Sequence, residues 1–167
     1  MVENIQRIDD KRYQIIPRTL VFLFNHKDQM LLIKGGPSKK LWANQYNGIG
    51  GHIERGEGVY SAARRELYEE AHIMTLTLWL CGTVMIDTGS ACGVGLFIFK
   101  GKYEGGKIEP SEEGSMEWVF QSELEQIPLV DDLFILLPKI TKNIESDKPF
   151  SAHMTDDGRG KKIIVFD

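Results

Sequence analysis

Long apolar runs are missing from this chain. The longest, residues 76–86, is broken by threonines and a glycine and is too short to cross a bilayer. The first ten residues are charged and carry no apolar core of the kind a secretion signal or anchor needs, so no membrane partner and a cytoplasmic location are expected. Cysteine is scarce. Cys81 and Cys92 stand in or beside strand-like runs with no CxxC spacing and no nearby histidine, which points to buried reduced thiols rather than a disulfide or a zinc site. There is no basic surplus either: 20 lysines and arginines face 24 acidic residues, giving a net charge of -4. That balance argues against binding duplex nucleic acid, while a metal or a few local lysines could still hold a small anion. Repeats, linkers and low-complexity segments are also absent.

What remains is a chain of 167 residues, 42% apolar and 26% charged, enough for one globular domain with a full core. The expected organisation is a single domain over 1–167, with an N-terminal arm at 1–17 and a terminal hairpin extension at 147–167. Residues 19–24 and 30–34 read as strands around a polar turn that contains His26, followed by a short strand at 47–53 and a helix at 58–71. Further strands are expected within 75–87, 94–103 and 116–120, and a helical turn at 122–126. A second helix should run over 133–143, capped by Asp131 or Asp132 and kinked or split by Pro138. His153, in the first hairpin strand, has no visible partner. Mixed strands with two helices indicate an α/β sandwich.

The informative stretch is 51–73. On a helix, Glu66, Glu69 and Glu70 stand at i, i+3 and i+4 and crowd one face, next to a buried stripe of Val59, Ala63, Leu67 and Ala71. Like charges at this spacing repel, and Glu69 and Glu70 also lie in the last turn, where the helix dipole disfavours anions. A hard cation such as Mg2+ or Mn2+ would reverse both penalties. Glu57 sits at the helix entrance, and glycines 48, 50, 51, 56 and 58 let the approach loop turn tightly. A bare Glu-x-x-Glu-Glu is usually a solvated acidic face. The full pattern is more specific: Gly51, Glu57 six residues on, then Arg65-Glu66-Leu67-x-Glu69-Glu70 after a seven-residue gap.

That pattern resembles the signature of the MutT-like Nudix hydrolases at every fixed position but one. His72 stands where the family has glycine, at a left-handed helix end that a side chain tolerates with mild strain. The other reading of His72 is a switch or metal ligand. The resemblance implies a Nudix fold, an α/β/α sandwich with a mixed β-sheet, over about residues 18–145. It also implies a metal, Mg2+ or Mn2+, held by the Gly50 carbonyl, Glu69 and Glu70, with Glu66 as general base or its close partner. Arg65 would orient a carboxylate such as Glu57 through a two-pronged pair. The family often adds an acid from a later loop; Glu112, Glu113 and Glu117 are available, and Glu113 is favoured over a purely exposed acidic loop. Lys34 resembles a phosphate-contacting position, or else snorkels at the surface.

Asn47-Gly-Ile-Gly-Gly51 is similar to a stretch of the oxidised-purine triphosphatases in which the asparagine reads the base. Asp131 and Asp132 resemble the paired aspartates that face the purine in that group, although they serve equally as helix caps. The tryptophan that precedes those aspartates in the group is replaced by Leu129 and Val130, and the proline expected in ADP-ribose enzymes is missing from residues 86–90. The resemblance therefore implies a metal-dependent pyrophosphohydrolase of a purine nucleoside triphosphate such as 8-oxo-dGTP, releasing a nucleoside monophosphate and pyrophosphate. Its alternatives are hydrolysis of another nucleotide derivative and a non-catalytic nucleotide-sensing module. The expected partner is a small nucleotide, and the chain a monomer or homodimer.

Overall fold

The computed structural model describes residues 11–75 and 77–167. The first ten residues, most of the expected arm, and Leu76, at the start of the longest apolar run, lie outside the described residues.

Eight strands make one mixed sheet. β1 (Gln14–Phe24) and β2 (Gln29–Gly35) are the strands of the polar turn, and β3 is only Tyr46–Asn47. After helix α1 (Val59–Ala71) come β4 (Leu78–Ile86), β5 (Cys92–Lys102) and β6 (Gly114–Phe120). Helix α2 (Leu133–Lys142), β7 (Phe150–Asp156) and β8 (Lys162–Phe166) complete the chain. The spatial order is β3-β2-β1-β5-β4-β7-β8, with β6 paired to β2 along its whole length. β1 runs parallel to β5 in unbroken register from Gln14 opposite Cys92 to Phe24 opposite Lys102, so the last residues of the expected arm are already sheet. The terminal strands form an antiparallel hairpin, and β7 ties it to the sheet by pairing parallel with β4.

Alternation along the central strands explains the three layers. Leu20 and Phe22 of β1, with Met30 and Leu32 of β2, join Leu133, Leu136 and Ile140 of α2 in one core cluster. The intervening Val21, Leu23, Leu31 and Ile33 face Ala63, Leu67 and Ala71 of α1 in the other. A strand buried on both faces reads as a continuous apolar run, which is why 19–24 and 30–34 show no polar alternation. The architecture is the α/β/α sandwich with a mixed sheet that the motif implied.

Several local expectations change. The predicted strand 47–53 survives only as β3 and isolated bridges at Ile49 and His52, because the glycines between them carry the chain as a loop. α2 runs continuously through Pro138. Asp132 occupies its N-cap position without a side-chain capping bond. At the other end of α2, buried Lys100 donates to the carbonyls of Thr141 and Asn143 at 2.8 and 2.7 Å, satisfying groups the helix leaves open. Cys81 is buried and free as expected; Cys92, also free, is partly exposed.

α1 ends as its sequence predicts. His72 has φ 56° and ψ 27°, the left-handed conformation, and its N–H bonds the Tyr68 carbonyl while that of Ile73 bonds Leu67. Ile73, buried against Leu67, completes the hydrophobic contact of this cap. A Cβ at such a backbone is strained, whereas glycine is not. His72→Gly should therefore raise stability by about 0.5–1 kcal/mol in denaturant titration, after allowing for glycine's freer unfolded chain. An unchanged or lower midpoint would show that the tilted Tyr68–His72 ring contact, 5.6 Å between centroids, outweighs the strain.

Candidate active site

α1 divides its three acids unequally. Glu66 and Glu70, one turn apart, are 8% and 9% exposed, whereas the Glu69 side chain is 55% exposed. Consecutive residues are turned by about 100° around a helix axis, which swings Glu69 away from Glu70 onto the outer face. All three acids still line one cleft, two of them buried and Glu69 at its rim.

The inner pair meets the glycine loop. The Gly50 N–H donates to Glu70 Oε2 at 3.3 Å. A Cβ on Gly51 would lie 2.5 Å from Glu66 Oε1, and one on Gly50 would lie 2.1 Å from the Thr19 carbonyl oxygen. Any side chain at either position would displace a carboxylate or the strand beneath, so both glycines are needed for this approach. Burial first, and the neighbouring Glu66 charge second, push the Glu70 carboxyl up to about 7.

Arg65 organises the outside. Its Nε and Nη2 grip Glu57 at 2.9 and 3.0 Å in the two-pronged pair anticipated from the sequence. Nη1 reaches Glu66 at 2.8 Å and Glu69 at 2.9 Å, and Nη2 also donates to the His52 carbonyl at 2.8 Å. One guanidinium thus joins three carboxylates to the loop, holding the Glu57 carboxyl below the usual range.

A cleft of about 680 Å3 is lined by Glu66, Glu69, Glu70, Pro110, Ser111, Glu112 and Glu113. Glu113 therefore joins the helix acids, and it is paired with Lys39, a residue that no spacing in the sequence pointed to. Glu117 does not join them. It turns toward the α2 side, where its carboxylate accepts a 2.6 Å hydrogen bond from the Tyr46 hydroxyl and, after burial, helps push that phenol up to about 12. The Lys34 ammonium lies over the Tyr46 ring, 5.2 Å from its centroid. Asn47 follows Tyr46 in β3, and Tyr46 exchanges backbone hydrogen bonds with Pro128 and Val130. The chain thereby runs Asn47 beside the segment leading into Asp131 and Asp132. Asp131 is exposed; Asp132 is half-buried, with its carboxyl raised by burial and then by the Asp131 charge. A larger cleft of about 870 Å3, around Phe24, Trp79 and Lys100, contains none of these acids.

The donor set suits a hard divalent cation: carboxylate oxygens, two of the carboxylates buried and Glu70 without an ion pair of its own among the described residues, beside a glycine loop that brings backbone close. Among the described residues, no group of three acidic, histidine or cysteine side chains is already gathered as a metal cage. Arg65 accounts for this by holding Glu69 at the rim.

Residues 15–140 match the NUDIX domain family. The chain is 32% identical over 114 residues to the oxidized purine nucleoside triphosphate hydrolase of Mus musculus, covering 68% of this chain and 69% of that protein. It is also 32% identical over 101 residues to the hydrolase of the same description from Danio rerio, covering 58% and 61%. Among solved structures, the MutT protein from Bacillus halodurans superposes with a TM-score of 0.76 at 22% identity, over 91% of this chain and 97% of that one. The NUDIX domain of Shewanella oneidensis NrtR, crystallised with ADP ribose, superposes with a TM-score of 0.64 at 17% identity, over 77% and 86%. With its fold, its signature helix and its acid-lined cleft in agreement, this chain belongs to the MutT-like Nudix family, hydrolases of pyrophosphate bonds that generally use divalent metals.

Proposed function

We propose that this Nudix hydrolase is a Mg2+- or Mn2+-dependent pyrophosphohydrolase of a purine nucleoside triphosphate, with an oxidised purine such as 8-oxo-dGTP as the favoured base. Water adds across the α–β phosphoric anhydride, and the products are a nucleoside monophosphate, pyrophosphate and a proton. The observation that carries the reading is the buried pair Glu66 and Glu70 against Gly50 and Gly51, an arrangement unfavourable for a metal-free fold and suited to a cation. The description shared by the Mus musculus and Danio rerio relatives supports the substrate class.

In this reading Gly50, through its carbonyl, and Glu69, Glu70 and Glu113 hold the ion. When bound, such an ion lowers the pKa of water and neutralises charge on phosphate oxygens. Glu66 accepts the proton of the attacking water or orients the group that does, and Arg65, locked by Glu57, keeps that carboxylate facing the cleft. Lys34 meets the phosphates. Asn47 and the pair Asp131 and Asp132 offer an amide and carboxyls to the purine edge; the raised Asp132 carboxyl is the better placed to donate as well as accept. The whole chain acts as one domain with its hairpin as an extension, in the cytoplasm, as a monomer or homodimer. A second reading, a nucleotide sensor without turnover, is favoured by His72 in place of the signature glycine and by the hold of Arg65 on two of the acids.

A panel of nucleotides with Mg2+ or Mn2+, read by phosphate release after added pyrophosphatase, separates the two. Turnover is expected, with oxidised purine triphosphates ahead; binding without release for every nucleotide would establish the sensor. Glu70→Gln should lower kcat by about 100-fold or more. The same change has a stability signature. Because the folded-state pKa of Glu70 is raised from 4.5 to about 7, its protonated form favours folding at low pH, and that stability is lost as pH rises through about 7. Metal-free Glu70→Gln should then exceed the parent above pH 7 by on the order of 1–3 kcal/mol, and the gap should close below pH 4.5. A pH-independent gap would remove the buried-carboxylate argument. Asn47→Ala should raise KM or relax base preference by about tenfold while sparing metal affinity, as measured by titration with Mn2+. Equal kcat/KM on all bases in the parent would sink the assignment of Asn47.

A further inference from the structure

Thr19 is 2% exposed, and its Oγ1 is a fully buried oxygen with no hydrogen-bond partner among the described residues. Leaving such an atom unpaired is costly, and a valine of the same shape would fill the position without that cost.

Its surroundings follow from the strand register. Arg18 bridges His52 and Val21 bridges Ile49 in antiparallel fashion, so Thr19 falls directly opposite Gly51, and its N–H donates to the Gly51 carbonyl at 2.8 Å. Val21 and Ile49 both belong to the cluster under α1. Residues two apart in a strand share a face, which turns the Thr19 side chain toward α1 as well. On that face Gly51 presents no side chain, and Glu66 takes the space: Oε1, Cδ and Oε2 lie 2.5, 2.7 and 2.8 Å from where a Gly51 Cβ would be. Facing Cβ positions in an antiparallel pair are about 4.5–5.5 Å apart. Thr19 and the Glu66 carboxylate therefore occupy neighbouring positions on the same face of the sheet. Glu66 is gripped from the outer side by Arg65 through Oε1.

We propose that Thr19 is a positioning residue for Glu66, its hydroxyl holding the carboxylate from the sheet side through one bridging water. With Arg65 outside and Thr19 beneath, the carboxylate is fixed from two directions, as a base poised toward a phosphate requires. This rests on the assignment of Glu66 as the base or its partner.

The test compares Thr19→Val, Thr19→Ser and Glu66→Gln with the parent, using Mg2+ and the best substrate of the nucleotide panel. Thr19→Val should lower kcat by about tenfold with KM within about twofold, and leave Tm unchanged or higher. Thr19→Ser, which keeps the hydroxyl, should hold kcat within about twofold of the parent. Should valine prevent folding, Thr19→Ala removes the same hydroxyl and is expected to show the same loss of kcat. A higher Tm with full kcat in Thr19→Val would mark the hydroxyl as an idle buried group and overturn the proposal. Equal losses in Thr19→Ser and Thr19→Val would overturn it too, by tracing the effect to packing. Full activity in Glu66→Gln would remove the base assignment and this proposal together, whereas an inactive Glu66→Gln beside a fully active Thr19→Val would remove the role of Thr19 alone.

Discussion

The structure turns on the contact between two buried carboxylates and two glycines. Glu66 and Glu70 enter the seam between α1 and the sheet because Ala63, Leu67 and Ala71 draw the same helix face into the core. Gly50 and Gly51 have no side chains to keep the acids out. Neither partner makes sense alone: glycines without the acids would leave a hollow, and the acids without the glycines would have no room.

The remainder of the site limits the cost of that contact. Arg65 gathers Glu57, Glu66 and Glu69 on the outer side, so it pairs with one member of the inner pair, while Glu70 feels the Lys39 charge only as a lesser influence than burial and Glu66. Glu70 receives only a long hydrogen bond from the Gly50 N–H. The result is a gradient of compensation from a fully paired Glu57, ahead of α1, to a nearly unpaired Glu70 in its last turn. Charge deficit of this kind is what a cation-binding cleft needs on its inner wall. The fold supports it rigidly: β1 lies in the middle of the sheet, in unbroken register with β5, and the loop that carries Gly50 and Gly51 bonds directly to it.

On the other face of the sheet a second arrangement forms independently. Tyr46, Lys34 and Glu117 come together from β3, β2 and β6, and Tyr46 also binds the backbone ahead of α2. This ties the strand bearing Asn47 to the start of α2. The two arrangements thus lie on opposite layers and are joined through the short stretch from Asn47 to Gly51.

The sequence by itself determined the parts whose physics is local. Helical spacing and the alanine and leucine stripe defined α1, the glycine and acid spacing identified the family, and the place of His72 predicted a left-handed helix end. Doubly apolar runs marked the central strands. What tertiary structure decided were the relations that no spacing encodes. Glu69 faces out while its neighbours are buried, because burial depends on which way the helix is rotated against the sheet. Glu113 rather than Glu117 joins the acids, since Glu113 lies in the loop before β6 while the strand itself turns Glu117 toward Tyr46 on the other face. Lys39 reaches the site by a contact with Glu113, 74 residues away in the chain, and Asp132 heads α2 without a side-chain capping bond. Periodicity records how a residue sits on its own element; which charges end up buried together depends on how elements pack, and packing is a property of the whole chain.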